Sequence, residues 1–135
     1  MGYDKPLPGN NPDTQPFWEA CHEHILKFQQ CVACGYVRWP PAMICPRCHG
    51  TQVTWVTAAG TGSIYSYVVY RETYHPAFEP ELPYVVALVQ LPEGPRLLTN
   101  IVGCAPDDLT CDLPVEVAWD DVTETVSLPK FRLRR

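Results

Sequence analysis

The sequence has 135 residues, a formal net charge of −5 and a pI of about 5.2. Hydrophobic residues make up 46% of it, which is enough for the core of one compact domain, or of a small module attached to one domain. The acidic balance is the opposite of what nucleic-acid binding favours. No apolar run is long enough to span a membrane, and residues 1–15 lack the apolar segment of a secretory signal.

The first predicted elements are an irregular arm and a short helix. Residues 1–15 are rich in proline, glycine and asparagine, which favour irregular structure. A helix is expected to begin at residues 14–16, because a threonine can cap it and a proline is tolerated in its first turn. Phe17, Trp18 and Cys21 would then share one side of this helix.

Two cysteine pairs, Cys31-x2-Cys34 and Cys45-x2-Cys48, follow a short strand predicted at residues 26–29. In a chain without secretory features, paired CxxC motifs usually bind metal. Four thiolates at about 2.3 Å form a closed tetrahedral cage, which is typical of structural Zn²⁺. Iron in the same cage, or four reduced cysteines without metal, are the alternatives. The ten residues between Cys34 and Cys45 suit a zinc ribbon or a rubredoxin-like pair of knuckles.

Other residues near the cage have simpler interpretations. Gly35 is expected at positive φ after the first knuckle, and Pro46 stiffens the second. His49 is too close to Cys48 to join the same cage. Residues 21–24, Cys-His-Glu-His, resemble a ligand cluster, but on a helix they point in different directions, so we expect a surface helix end.

Strand patterns dominate the rest of the chain, and prolines are expected to mark the strand ends because proline cannot donate to a ladder. Five short strands without a long helical pattern predict a small barrel, and the OB-fold is a five-stranded Greek-key barrel. A sandwich or an SH3-like barrel is the alternative. The five strands are predicted at residues 64–70, 84–91, 97–102, 115–119 and 125–128.

Catalytic residues are not indicated. Cys104, Cys111 and His75 are the candidates for a nucleophile or base, but no sequence signature supplies their partners. We expect buried thiols and an ordinary loop histidine. Several tyrosines are candidates for stacking on bases, although core and interface packing fits the acidic charge better. They are Tyr65, Tyr67, Tyr70, Tyr74 and Tyr84.

The predicted organisation is therefore mainly β. Residues 1–15 form a flexible arm, residues 16–56 form the N-terminal helix and the rubredoxin-like zinc ribbon, and residues 57–135 form a five-stranded OB-fold domain. The basic C-terminal stretch 130–135 is expected to be a solvated tail, with docking onto an acidic partner as the alternative. Seven cysteines without secretory features indicate a cytoplasmic protein.

The ordered set of motifs resembles the family catalogued as domain of unknown function number 35. Each motif is weak alone, but the set is specific and covers the chain from about residue 14. The matching pieces are Pro16-Phe-Trp18, the four knuckle cysteines with Pro40-Pro41 between them, Gly60-Thr-Gly-Ser-Ile-Tyr-Ser-Tyr67, His75-Pro-Ala-Phe78, Pro83-Tyr-Val-Val-Ala-Leu-Val89, Glu93–Gly103 and Leu113-Pro-Val-Glu-Val117.

The resemblance implies a zinc ribbon followed by an OB-fold, and an accessory role. Such proteins accompany thiolase-superfamily enzymes that act on acyl-CoA thioesters. In one branch the partner is a lipid-transfer-protein-like aldolase that cleaves steroid side chains by a retro-aldol step. In other branches it is a thiolase or a synthase. The partner would carry the catalytic residues, and this chain would hold the assembly together, with acyl-CoA near the interface.

Two other function classes stay open at this point. OB-folds and zinc ribbons also serve single-stranded nucleic-acid binding, which the acidic charge disfavours. A self-sufficient enzyme would need one of the cysteine or histidine candidates above. The family pattern is broken once: a glycine is usual where this chain has Asp112, and aspartate tolerates positive φ better than most residues.

Overall fold

The computed structural model describes residues 12, 14–72 and 76–134. In these ranges the chain forms one α-helix, α1 (Gln15–His22), and eight strands. Short 3₁₀ helices lie at Pro76–Glu81 and Pro106–Asp108. The strands are β1 (Lys27–Cys31), β2 (Val37–Arg38), β3 (Val53–Thr57), β4 (Thr61–Tyr70), β5 (Tyr84–Gln90), β6 (Arg96–Ile101), β7 (Pro114–Asp121) and β8 (Ser127–Leu133).

The first three strands form a small antiparallel sheet in the order β2-β1-β3. Gln29 of β1 lies opposite Arg38 on one side and Trp55 on the other. The sequence prediction included β1 and missed β3, although its Val-Thr-Trp-Val-Thr composition is typical of a strand. The two cysteine knuckles lie at the ends of these strands, so we call residues 27–57 the ribbon.

The other five strands form a closed barrel in the order β4-β5-β6-β8-β7, and β4 pairs with β7 to close it. Neighbouring strands are antiparallel except β6 and β8, which run parallel where Ile101 lies opposite Phe131. This is the strand order of an OB-fold, so the predicted fold class is confirmed and the sandwich and SH3-like alternatives are wrong. The hairpin predicted between β5 and β6 is present.

Helix α1 and the ribbon share one continuous apolar core with the barrel. Phe17 and Cys21 from α1 are buried, as the predicted helix face requires, and Phe28 of β1 is buried beside them. Phe17 and Phe28 lie with ring centroids 6.1 Å apart. The barrel adds the buried residues Ile64, Val85, Ala87, Val89, Leu91, Leu97, Ile101, Leu109, Val115 and Phe131. The ribbon is therefore packed onto the barrel through α1.

The prediction of a solvated basic tail is wrong. The described part of this stretch belongs to β8, which pairs with β7 along its whole length. Phe131 is fully buried, and Lys130 forms an ion pair of 2.7 Å with Asp120. The alternation of charged and apolar residues is that of a strand with one face in the core, and this signal outweighs the basic composition. Arg135 lies outside the described residues.

Proline also does not end β8. Pro129 lies inside the strand, opposite Trp119 of β7. Proline lacks the N–H that a strand donates to its neighbour. No ladder hydrogen bond to β6 is lost here, because β8 pairs with β6 at Phe131 and Ile101 and not beside Pro129. The Pro129 carbonyl instead accepts a hydrogen bond from Thr99 Oγ1 at 2.7 Å.

Candidate metal centre

The structure brings Cys31, Cys34, Cys45 and Cys48 together, with all four sulfur atoms within 4.8 Å of one another. The Sγ atoms of Cys31 and Cys48 are 3.5 Å apart, and those of Cys34 and Cys45 are 3.7 Å apart. A tetrahedral zinc with sulfur ligands at about 2.3 Å separates its ligands by about 3.8 Å. The four thiols therefore have the spacing of a metal cage in which protein sulfur fills every position.

Two matching turns place the ligands. Cys31 ends β1, and the Gly35 N–H donates back to the Cys31 carbonyl at 2.9 Å. In the second knuckle the His49 N–H donates to the Cys45 carbonyl at the same distance. Gly35 has φ 79°, which confirms its predicted conformation. His49 has φ 64° at the equivalent position, which the sequence reasoning missed.

Gly50 lies close to the sulfurs and lets the second knuckle close over the cage. A Cβ atom at this position would lie 3.3 Å from Cys48 Sγ and 3.4 Å from Cys31 Sγ. The Gly50 N–H donates to Cys48 Sγ at 3.4 Å, and the Arg47 N–H donates to Cys45 Sγ at 3.4 Å. Backbone N–H groups that point at sulfur favour the thiolate form that binds metal.

Backbone N–H groups and neighbouring sulfurs shift the pKa values of three of the four thiols. Burial raises the pKa of Cys45, but backbone N–H groups of Cys48 and Arg47 outweigh it and lower that pKa to about 6. The backbone at Cys34 lowers the pKa of Cys31. The Gly50 N–H lowers the pKa of Cys48, but the neighbouring sulfurs outweigh it and raise that pKa to about 12. Four thiolates this close require a bound positive charge.

A buried polar cluster supports the loop that leads to Cys45. Arg38 is 3% exposed, and its Nε donates to Gln29 Oε1 at 2.9 Å. The same oxygen accepts from the Ala42 N–H, and an Arg38 terminal nitrogen donates to the Ala42 carbonyl, each at 2.9 Å. Nothing in the sequence pattern pointed to this cluster. It fixes the ribbon loop between β2 and the second knuckle.

The run at residues 21–24 is not a second metal site. Cys21 points into the core, where burial raises its pKa to about 12. His24 points the other way, and its Nε2 lies 2.7 Å from Asp121 Oδ1. The His24 ring also stacks on Trp119 with centroids 5.3 Å apart. These residues diverge as predicted, and His24 joins the end of α1 to β7.

The remaining cysteines differ from each other. Cys104 is half-buried and packs against the core. Cys111 is exposed, so the expectation of a buried thiol is wrong there, because it lies in the turn that precedes Asp112. Asp112 has φ 70°, which confirms that this turn uses the left-handed region. His75 lies outside the described residues.

The described tyrosines pack against groups of the protein itself. The Tyr67 hydroxyl donates to the Leu109 carbonyl at 2.9 Å. The guanidinium of Arg96 lies 3.8 Å from the centre of the Tyr65 ring. A stacked pair, 5.1 Å between centroids, is formed by Tyr70 and Tyr84. This agrees with the packing interpretation; Tyr74 lies outside the described residues.

Two family descriptions match the chain, one over the part with the four cysteines and one over most of the barrel. Residues 18–54 match the family described as ChsH2, rubredoxin-like zinc ribbon domain. Residues 55–120 match the family described as ChsH2, C-terminal OB-fold domain. The zinc-ribbon match and the four-cysteine cluster together indicate a metal-binding site. No helix within the described ranges is long and apolar enough to cross a membrane.

Three curated relatives are informative. A probable enoyl-CoA hydratase alpha subunit of Thermomonospora curvata is 45% identical over 95% of this chain, which spans 40% of that protein. A DUF35 domain-containing scaffold protein of Methanothermobacter thermautotrophicus is 38% identical over 73% of the chain and 74% of its own length. A 3-oxo-4,17-pregnadiene-20-carboxyl-CoA hydratase alpha subunit of Mycobacterium tuberculosis is 31% identical, and the chain spans 36% of it.

A solved structure matches the chain along nearly its whole length. It is described as the Ltp2-ChsH2(DUF35) aldolase. The identity is 45% and the TM-score is 0.85, over 94% of this chain and 98% of that one. The two hydratase alpha subunits are more than twice as long as this chain, whereas the matching chain of the aldolase is of the same size.

Proposed function

Because this chain belongs to the DUF35 family, in which a zinc ribbon precedes an OB-fold, we propose that it is a non-catalytic accessory subunit of a thiolase-superfamily enzyme acting on acyl-CoA thioesters. The specific form of the proposal is a retro-aldolase of steroid side-chain degradation. The partner is then a lipid-transfer-protein-like catalytic subunit. This chain completes the assembly and borders the acyl-CoA site at their interface.

The observation that carries the proposal is the match to the Ltp2-ChsH2(DUF35) aldolase. The match covers 98% of a chain of that enzyme and 94% of this chain at 45% identity, so the likeness extends beyond a shared barrel. The pregnadiene-carboxyl-CoA substrate in the name of the mycobacterial relative supports a steroid CoA thioester.

The surface of the ribbon supports an accessory role. Three apolar side chains near the knuckles are unusually open to solvent: Met43 is 70% exposed, Val32 56% and Ile44 54%. Apolar residues grouped on the surface of a small protein mark a site of protein–protein contact. The ribbon therefore offers apolar contact area to the assembly in addition to any surface of the barrel.

We further propose that the cage holds one structural Zn²⁺ through Cys31, Cys34, Cys45 and Cys48. Sulfur from the protein fills all four positions, so the ion has no place for water or substrate and serves the fold. Iron fits the same ligand set and is the alternative. Elemental analysis of the purified protein tests this, with one zinc per chain expected. Less than about half an equivalent of metal, in protein never exposed to chelator, would contradict it.

The domain boundaries and the compartment are also part of the proposal. We propose an arm at residues 1–15, of which Gln15 already belongs to α1, then the helix and ribbon at residues 16–56 and the barrel at residues 57–135. The shared core around Phe17 and Phe28 joins the helix and ribbon to the barrel. We propose a cytoplasmic location, which reduced cysteines in a metal cage support.

Co-expression with a thiolase-fold protein of the same organism tests the function. We expect the two chains to purify as one complex, and acyl-CoA turnover to need both. The proposal fails if the chains do not associate and the thiolase-fold protein is fully active alone. Turnover by the isolated chain, lost on replacement of Cys104, Cys111 or His75, would instead favour a self-sufficient enzyme.

A further inference from the structure

One outer face of the barrel is apolar. The register of β4, β5 and β6 places Val68 opposite Val86, and Leu88 opposite Leu98. These side chains alternate with the buried Val85, Ala87, Val89 and Leu97, so they point away from the core. We call this surface the apolar face; its six residues are Val68, Tyr70, Tyr84, Val86, Leu88 and Leu98.

The apolar face is open to solvent, although a barrel in water normally directs polar residues outward. Val68 is 55% exposed, Leu98 53% and Tyr70 45%. Arg96 is the one charged residue in β4, β5 and β6, all of whose backbone the structure describes. These three strands therefore contain no carboxylate, in a chain with a net charge of −5.

The outer face of β7 and β8 carries the charged residues expected of a surface exposed to water. Across β7 and β8, Glu116 lies opposite Arg132, and their side chains pair at 3.4 Å. Lys130 pairs with Asp120 at 2.7 Å. Because the same barrel builds one charged and one apolar outer face, the apolar face is not a general property of this small protein.

A groove of about 140 Å³ continues from the apolar face at Leu98. Its walls come from α1, the ribbon, β6 and β8, and they include the rings of Trp18 and Trp39. The Trp39 indole Nε1–H is buried and has no hydrogen-bond partner among the residues that the structure describes. Its burial keeps this N–H out of reach of a ligand in the groove, so the two tryptophans offer a partner apolar ring surface.

We propose that the apolar face and the groove beside Leu98 are the surface on which the catalytic subunit docks. The partner presents a flat apolar patch with one projecting apolar side chain, which enters the groove between the rings and β6. Such central anchors in a desolvated pocket carry most of the energy of an interface. This inference rests on the proposed function and adds where the partner binds.

The charge around the apolar face favours a different protein, and not a second copy of this chain, as the molecule that docks there. A copy that docks through the same strands presents Arg96 and no carboxylate. An acidic rim on a different subunit complements that cation, and complementarity of this kind selects between partners.

The test uses Val68→Glu and Leu98→Glu on the apolar face and Thr125→Glu as the matched control. Thr125 is exposed between β7 and β8 and belongs neither to the apolar face nor to the groove. We expect each face variant to raise the Kd for the thiolase-fold subunit by about 30-fold or more. We expect Thr125→Glu to stay within about twofold of wild type.

Each outcome decides between alternatives when zinc content and melting temperature show that the variants are folded. If wild type does not bind the catalytic subunit, the proposed function fails. If wild type binds and the face variants bind equally well, the inference is overturned and the proposed function stands. If wild type alone is a dimer that Val68→Glu converts to a monomer without changing partner binding, a second copy occupies the apolar face and the inference is wrong.

Discussion

The ribbon and the barrel are held together by different interactions. The ribbon has three short strands, one of only two residues, and its buried set includes Cys31, Cys45, Gln29 and Arg38. The barrel closes on itself and buries a continuous set of aliphatic side chains around Phe131. The ribbon therefore depends on thiols and a polar cluster, whereas the barrel depends on apolar burial.

Because of this difference, the ribbon and the barrel should respond to different perturbations, although α1 packs against both. Metal removal should act on the ribbon, and loss of apolar volume should act on the barrel. Substitutions at the contact between α1 and β7 should have the smallest effects. The following predictions are ordered by the size of the expected effect.

Loss of the metal should produce the largest change. Cys31→Ser or Cys45→Ser removes one of four ligands, and structural zinc contributes about 10–16 kcal/mol of binding free energy in small zinc domains. We expect release of the metal and rapid amide exchange in residues 25–55, with the barrel still folded. Elemental analysis and segment-resolved hydrogen exchange measure this.

The control for the cysteine variants is Cys111→Ser, because that thiol is exposed and outside the cage. It should keep the full metal content. Complete unfolding of Cys31→Ser in circular dichroism would contradict the independence of the barrel, and it would show that the shared core at Phe17 and Phe28 needs an intact ribbon.

Truncation in the barrel core should have the next largest effect. Phe131 is fully buried between β6 and β7, so Phe131→Ala should lower the free energy of unfolding by about 3–5 kcal/mol. Urea denaturation followed by circular dichroism measures this, and metal content below the transition should stay at wild-type level. Val68→Ala, at an exposed position, should change stability by about 0.5 kcal/mol or less. Equal effects of the two variants would argue against the core described above.

A smaller effect is expected for the buried polar cluster of the ribbon. Gln29→Leu removes the acceptor that Arg38 Nε and the Ala42 N–H share. A buried donor without its acceptor costs about 1–3 kcal/mol, so the ribbon should open more often and lose zinc faster to a chelator. Gln52→Leu, at an exposed position, is the control. Equal chelation rates for both variants would show that the cluster does not support the cage.

The smallest effect is expected where α1 meets the barrel. Hydrogen bonds from Ser127 and then His24 lower the pKa of Asp121, so its charged form is favoured in the folded state. A lowered pKa contributes stability above the unfolded value of about 3.9, and this is lost as the pH falls through the folded value. The melting temperature of Asp121→Asn should therefore lie slightly below wild type at neutral pH, and the difference should shrink below about pH 4.

A difference in melting temperature that persists unchanged at pH 3 would show that Asp121 does not act through its charge. Asp107→Asn is a suitable control, because Asp107 is an exposed carboxylate in the 3₁₀ helix Pro106–Asp108 and does not contribute to the lowered pKa of Asp121.

Much of this architecture follows from sequence pattern, because its strands alternate clearly and its turns need particular residues. The CxxC spacing predicted the sulfur cluster, and the positive φ of Gly35 followed from its residue type. The positive φ of Asp112 was expected only from the glycine that the family pattern has there. Two of the errors concern strands, β3 and the end of β8. The composition of β3 is typical of a strand and could have been recognised, whereas the basic charges around Phe131 do not record its pairing with β7.

The groove and the unpaired Trp39 N–H could not be predicted from the sequence. They arise where α1, the ribbon and the barrel meet, and no short motif encodes a junction of three elements. The apolar face was visible in part, because β4 to β6 contain one charged residue, but their register was needed to show that the apolar side chains adjoin.

The most direct test of the accessory role is a titration of the thiolase-fold subunit with this chain, read out as acyl-CoA turnover. Turnover should rise with added chain and saturate at a fixed stoichiometric ratio, while the isolated chain should have no activity. Turnover by the thiolase-fold subunit that is complete without this chain, with no complex formed in the same samples, would contradict it.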